Sequence, residues 1–348
     1  MINGKEDILS LDEASLANFL ENEPSYRVKQ VYSWLHKGCA FEEMTNVPKA
    51  LRERLEKEAV IASPSIEKKL VSKIDGTVKY LYKLYDGQCV ESVIMKYEHG
   101  YTICVSSQAG CKMGCAFCAS TKDGYARDLL PSEIEGQILV SQRDLWIRIS
   151  NVVMMGIGEP LDNYDNVIGF LKNINSEDGL NIGLRHVSLS TCGLADRIRD
   201  LANEGLPVTL SVSLHHSNDS DRSALMPVNR RWNIDALLSA CNYYFEKTGR
   251  RISFEYAVIG GVNATEEKAK ALAKLLHAKL DRDMPFHVNL IPVNPVRETG
   301  FKSTRKEVDE FRATLEKCGV NATVRRRLGS DINASCGQLR RQALGESI

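Results

Sequence analysis

Three cysteines, Cys111, Cys115 and Cys118, follow one another as C-x3-C-x2-C in a short loop, directly after the strand-like run at residues 102–107. Three thiolates held this close can bind a [4Fe-4S] cluster through three of its irons, which leaves the fourth iron open to a small ligand. Two other uses of cysteine compete. A structural zinc site draws its ligands in two separated pairs, and an ordinary ferredoxin cluster needs a fourth cysteine in register. No second C-x2-C pair exists, and the next cysteine downstream is Cys192. On spacing alone, Cys104 stays open as a fourth ligand.

The elements around this loop must place it. From about residue 100 the pattern alternates strand and helix, with strands expected near 102–107, 151–156, 185–191, 208–214, 251–259 and 286–293. Helical stretches follow or intervene at 132–146, 234–247, 265–280 and 304–317, and a further short strand is expected at 321–327. Six βα units in series predict an α/β fold, a partial (β/α)6 barrel, short of the eight units of a closed one. Residues 1–60 predict a small helical accessory domain, with Leu16, Phe19, Leu20, Val28, Val31, Leu35, Leu51 and Leu55 at helical spacing. Residues 61–99 read as a linker and β-hairpin, with alternating Val78, Tyr80, Tyr82 and Leu84 before an Asp86-Gly87 turn. The barrel spans 100–328, and residues 329–348 form a tail without helical or strand periodicity.

In a parallel barrel, functional groups gather at the C-terminal strand ends. The second strand ends in Gly156-Ile157-Gly158-Glu159-Pro160, the third in Ser190-Thr191-Cys192, the fourth in Ser213-Leu214-His215 and the sixth in Pro292-Val293-Asn294. Gly156 and Gly158 let backbone approach a ligand, and Glu159 can accept from a cationic amino group. The signatures of dinucleotide and P-loop phosphate binding are missing. Cys39, Cys89, Cys192, Cys241 and Cys318 read as small buried hydrophobes. Cys336, in a tail with little apolar company, reads as a reactive thiol.

Lysine plus arginine balances aspartate plus glutamate at 45 each, so RNA or DNA binding would need a local patch. Candidates are Arg230-Arg231, Arg250-Arg251, residues 325–327 and Arg340-Arg341. Ten cysteines without a signal peptide argue for reduced thiols or metal ligands in the cytoplasm. No stretch reaches the roughly 20 apolar residues of a membrane helix.

Residues 104–108, the cysteine loop, 156–161, 189–191, 213–215, 289–292 and 331–339 occur in this order. Together with residues 26–30 and 41–44 they closely resemble the RlmN family of radical SAM RNA methyltransferases and its relatives, the Cfr resistance methyltransferases. The resemblance covers nearly the whole chain. It implies an enzyme carrying one [4Fe-4S] cluster on Cys111, Cys115 and Cys118, with S-adenosylmethionine on the open iron. Gly158, Glu159, Ser190, Ser213, Leu214, His215 and Asn294 would contact that cofactor. It implies methylation at C2 of adenosine 2503 in 23S rRNA and of adenosine 37 in some tRNAs. One S-adenosylmethionine methylates Cys336; a second yields a radical that takes hydrogen from that methyl group, and the resulting carbon radical adds to the electron-poor adenine C2. Cys104 then resolves the adduct through a transient disulfide with Cys336, and Glu91 matches the family's proton acceptor. Without the resemblance, Glu91 reads as a surface glutamate on a strand. A flavodoxin or ferredoxin as electron donor and a monomeric state are also implied. The chain departs from the family's usual tail at Asn333 and Ser335, and elsewhere at Cys192 and His216-Ser217.

Three rival readings remain. One is Cfr-type C8 methylation of the same adenosine, conferring ribosomal antibiotic resistance; Pro160 favours C2. Another is an RNA-binding protein with a structural Fe-S cluster. The last is a different radical SAM activity, such as a glycyl-radical activase, which has no need of the Cys104 and Cys336 pair.

Overall fold

The structure is a computed structural model, which describes residues 1–122, 124–293, 300–332, 334 and 339. Helices α1 (Glu13–Phe19), α2 (Ser25–Leu35) and α3 (Lys49–Glu58) build the N-terminal unit. Their expected apolar stripes bury Leu16, Leu20, Val28, Val31, Leu35, Leu51 and Leu55 in one cluster, while Phe19 packs at its edge. Asp12 accepts from the Ser15 amide and so caps α1, removing one orphan donor. A short parallel pair, β1 (Glu6–Asp7) with β2 (Ala59–Val60), closes the unit where only helix was expected. Buried Asp7 accepts from the hydroxyls of Ser10 and Ser132, tying this unit to the first barrel helix.

A ten-stranded sheet follows. Its antiparallel part is β3 (Ser65–Val71), β4 (Val78–Lys83) and β5 (Cys89–Tyr97), paired onto β6 (Gly100–Cys104). The expected two-stranded hairpin is therefore three strands, hydrogen-bonded continuously to the barrel. β3 carries no alternating pattern because it is an edge strand that is almost wholly exposed, and its Lys68 and Lys69 suit an edge that must not pair further.

Beyond β6, the ladder β7 (Gln108–Gly110) with β8 (Tyr125–Asp128) brackets the cysteine loop. Helix α4 (Pro131–Leu145) leads to β9 (Ile149–Met154), α5 (Tyr164–Asn175) to β10 (Val187–Thr191) and α6 (Ala195–Asn203) to β11 (Thr209–Ser213). Helices α7 (Asp219–Leu225) and α8 (Ile234–Thr248) precede β12 (Ile252–Val258), α9 (Glu266–Lys279) precedes β13 (Phe286–Pro292), and α10 (Arg305–Lys317) precedes β14 (Ala322–Val324). Strands β6, β9, β10, β11, β12, β13 and β14 are all parallel, in that spatial order. This is the expected α/β partial-barrel architecture, with its six barrel strands and the short seventh. Leu189, Leu210, Val212, Phe254, Tyr256 and Leu290 pack outward in the main core. Their neighbours Ser190, Ser211, Ser213, Ser253, Glu255 and Asn289 line cavities inside. Among the described residues no helix is long and apolar enough to cross a membrane.

Candidate active site at the C-terminal strand ends

The cysteine loop leaves β7 at Gly110 and returns to the sheet at β8, so its two ends are held 15 residues apart in sequence by one ladder. Cys111 and Cys115 are buried and Cys118 is half-buried. All three line a cavity of about 730 Å³ at the barrel mouth. Burial pushes the Cys111 thiol up to about 12, and the neighbouring Cys118 adds to the rise. Cys115 rises too, from burial and then from Cys118 and Cys111. Three mutually repelling thiolates in a low-dielectric pocket need a cation to hold them ionised. The donor set thus fits a cluster with one thiolate per iron. Among the described residues no His, Cys, Asp or Glu side chains are grouped as tightly as a single metal ion requires, a demand that a polynuclear cluster does not make.

The same cavity is lined by Gly156, Gly158 and Glu159 after β9, Ser190 and Cys192 at β10, and Ser213 and His215 at β11. Glu159 Oε2 accepts from the Cys192 amide at 2.7 Å and Oε1 from the Leu161 amide at 3.0 Å. Burial raises its carboxyl above the ordinary range, against the pull of those donors. The two glycines serve the protein's own backbone. A Cβ on Gly156 would lie 2.6 Å from the Val105 carbonyl oxygen, and one on Gly158, at φ 110°, would lie 2.6 Å from Gln108 Cβ. They lock the β9 end against the chain entering the cysteine loop.

His215 holds a left-handed backbone, φ 56°, unusual for a side chain of its size. Asn263 stabilises it by donating to the His215 carbonyl at 2.9 Å. His215 Nδ1 accepts from the Ala257 amide at 2.9 Å, which puts the proton of the neutral ring on Nε2. Burial, reinforced by the Arg222 charge, depresses its pKa to about 3. Phe117 meets the ring edge-on at 4.7 Å. Leu214 buries its side chain in the core, so only its backbone is available for a ligand. Asn294 lies outside the described residues.

Arg222, from α7, was not expected here. It is 0 % exposed and donates to the carbonyls of Leu214, Ser213 and Cys192 at 3.1, 2.9 and 2.8 Å, and to Asn229 Oδ1 at 2.7 Å. It binds two strand ends together behind the cavity. Cys192, read as a small buried hydrophobe, also lines the cavity; its position at a strand end was the available signal.

Cys104 ends β6, opposite Val93 of β5, and faces the cavity. Glu91 precedes Val93 on the same face of β5. The expectation of a surface glutamate is overturned: Glu91 is 3 % exposed and pairs with Lys79 at 3.0 Å, itself 0 % exposed. The reason is coverage, since residues of the tail cross this face. Leu328 and Ala334 pack on Val93, Met95 and Cys104. Leu339 packs on Leu81 and Cys89. Cys336 lies outside the described residues, as do Asn333, Ser335, Arg340 and Arg341. Of the other basic clusters, Arg325, Arg326 and Arg327 line the cavity, Arg230 and Arg231 are exposed, and Arg251 borders a smaller polar cavity of about 390 Å³ with Ser253 and His287.

Known proteins place this arrangement. The Radical SAM superfamily matches residues 105–276, and the ribosomal RNA large subunit methyltransferase N-terminal domain matches residues 6–61. A protein of Alkaliphilus oremlandii named "Probable dual-specificity RNA methyltransferase RlmN" is 52% identical over 98% of this chain and 99% of its own length. One of the same name from Clostridium novyi is 48% identical over 97% of this chain and 98% of its own. The crystal structure of a radical SAM methyltransferase from Sphaerobacter thermophilus superposes with a TM-score of 0.90 at 38% identity, over 96% of this chain and 98% of that one. With one family signature over the barrel that builds the site, another over the N-terminal unit, and full-length relatives at about half identity, the chain belongs to the RlmN family of radical SAM RNA methyltransferases.

Proposed function

We propose that this enzyme methylates C2 of adenosine 2503 in 23S rRNA, and C2 of adenosine 37 in some tRNAs, through a methylated Cys336 and a transient Cys104–Cys336 disulfide. The observation that carries this reading is the placement of Cys104. It shares one cavity with Cys111, Cys115 and Cys118, and the tail residue Ala334, two positions before Cys336, packs beside it. When bound on those three cysteines, a [4Fe-4S] cluster supplies one-electron reductive cleavage of S-adenosylmethionine. The chain's own residues do the rest. Glu159 and the Ser190 and Ser213 hydroxyls offer acceptors for the cofactor's amino group and sugar, and His215 offers Nε2–H as a donor. Cys336 is a sulfur nucleophile able to take a methyl group by displacement, which an adenine carbon is not. Cys104 closes the disulfide that frees the product, and exchange with external thiols resets it. The proton that leaves C2 is assigned to Glu91, which lies between Cys89 and Val93 along β5 and pairs with Lys79. A target inside folded RNA has to be extruded to reach a cavity this deep. Flavodoxin or ferredoxin fits the need for a one-electron donor, and the domain limits 1–60, 61–99, 100–328 and 329–348 carry over as the working division.

The test is anaerobic reconstitution with iron and sulfide, then incubation of an unmodified 23S rRNA fragment and of tRNA with methyl-labelled S-adenosylmethionine. Nucleoside mass spectrometry is expected to show 2-methyladenosine, lost in Cys336→Ala. Only 8-methyladenosine would overturn the C2 assignment, and label persisting in Cys336→Ala would overturn the carrier.

A further inference from the structure

The turn between β3 and β4, residues 72–77, stands apart from the cysteine loop, yet it makes a dense set of contacts with the root of the tail. Asp331 of the tail accepts from the Ser72 hydroxyl at 2.7 Å and from the Lys73 amide at 2.9 Å. In return Asp75 of the turn accepts from the Gly329 amide of the tail at 2.8 Å and from the Thr77 amide at 3.0 Å. Ser72 Oγ also accepts from the Ile74 and Asp75 amides, so one buried hydroxyl organises the turn and holds the tail. Each carboxylate thus reaches across to the other segment. Gly329 completes the clasp: its φ is 62°, and a Cβ there would meet Ala334 at 2.6 Å and Thr77 at 3.1 Å. The Ala334 amide donates back to the Gly329 carbonyl at 3.0 Å, folding the tail into a compact loop before it leaves.

From this clasp the described tail residues run along one sheet face. Ala334 touches the Val93, Met95 and Cys104 cluster, and Leu339 touches Leu81 and Cys89. These contacts bracket Glu91 along β5. Cys336 follows Ala334 by two residues, a tether of at most about 7 Å.

We propose that Ser72, Asp75 and Asp331 are positioning residues: the β3–β4 turn clasps the tail and sets where Cys336 is delivered relative to Cys104. The inference rests on the carrier role assigned above to Cys336. Neither Asp75 nor Asp331 touches the cavity, and both are solvent-exposed, so replacing them spares the core.

The test uses the full chain, cluster loaded anaerobically, equilibrated in buffers of reduced and oxidised glutathione. Forming the Cys104–Cys336 disulfide releases two protons and two electrons from the thiols, and one oxidised glutathione takes them up as two reduced molecules. Asp331→Ala and Asp75→Ala are expected to lower this equilibrium constant about tenfold, since charge-assisted hydrogen bonds that fix the geometry are lost. Asp331→Asn, keeping one acceptor oxygen, should fall between. The ratio of 5′-deoxyadenosine released to 2-methyladenosine formed should rise in the same order, while the urea midpoint stays near wild type. Wild-type disulfide constants in both alanine variants would overturn the clasp. Methylation by Cys336→Ala would instead overturn the carrier role, and that outcome leaves the disulfide comparison intact.

Discussion

His215 shows how a single side chain is set up before any ligand arrives. Its Nδ1 is occupied by the Ala257 amide, and burial with the Arg222 charge depresses its pKa to about 3. Below the ordinary histidine value of about 6.5, the unfolded chain binds a proton that the folded chain refuses until about pH 3. The unfolded state therefore gains protons first, and stability conferred by a neutral His215 is present above about 6.5 and falls as the pH drops toward 3. Urea midpoints of wild type should decline between pH 7.5 and 5.5, and His215→Gln, which cannot titrate, should show a smaller decline; equal slopes would refute this. The residue was legible as a strand-end ligand candidate from Ser213-Leu214-His215. Its left-handed backbone and its Asn263 support were not, because they depend on partners 42 to 48 residues away, the Ala257 amide and the Asn263 side chain. Arg222 was illegible for the same reason. Nothing in a short surface-like helix announces a guanidinium that will collect three carbonyls from two strand ends.

At the scale of elements, the barrel strands were readable because each alternates between an apolar outer side and a polar interior, bounded by turn residues. What escaped was set by coverage. β3 is an edge with almost nothing packed on it, so no period marks it. β5 is buried on both faces because Leu328, Ala334 and Leu339 pack on one, which is why Glu91 looked like a surface residue. The β9 end and the cysteine loop are coupled through glycine. Gly158→Ala forces a side chain into a positive φ and to 2.6 Å from Gln108 Cβ; Gly156→Ala meets the Val105 carbonyl at the same distance. Neither neighbour is the free end of a flexible chain at Gly156, so the strand ends must part. Each variant should lose about 1–3 kcal/mol in urea unfolding and should lower the iron content retained after reconstitution. Full iron retention with unchanged stability would mean the contact relaxes at no cost.

The whole molecule has no net charge, so long-range attraction to a polyanion is absent and any RNA affinity must come from where charge is concentrated. At the cavity mouth, Arg325, Arg326 and Arg327 stand in a row after β14, and Arg326 and Arg327 are exposed. Among the described residues neither Arg326 nor Arg327 forms a salt bridge, unlike the helix-borne Lys49, Arg54, Lys270, Arg305, Lys306 and Arg312, which pair at i,i+4. Exposed guanidiniums left unneutralised beside a reaction cavity suit phosphates that flank an extruded nucleotide. The net-neutral composition signals none of this, and the sequence alone offers four basic clusters with equal claim; among the described residues the fold sets Arg325, Arg326 and Arg327 at the mouth. Replacing Arg326 and Arg327 together by alanine should raise the KM for RNA while leaving kcat within about twofold, since uniform binding is what is lost. If both contact phosphate on unpaired RNA, the slope of log affinity against log salt should become shallower by about 1.4, roughly 0.7 for each contact removed. An unchanged slope would place the RNA elsewhere, and the N-terminal helical unit at residues 6–61 would then have to carry the electrostatic part of recognition.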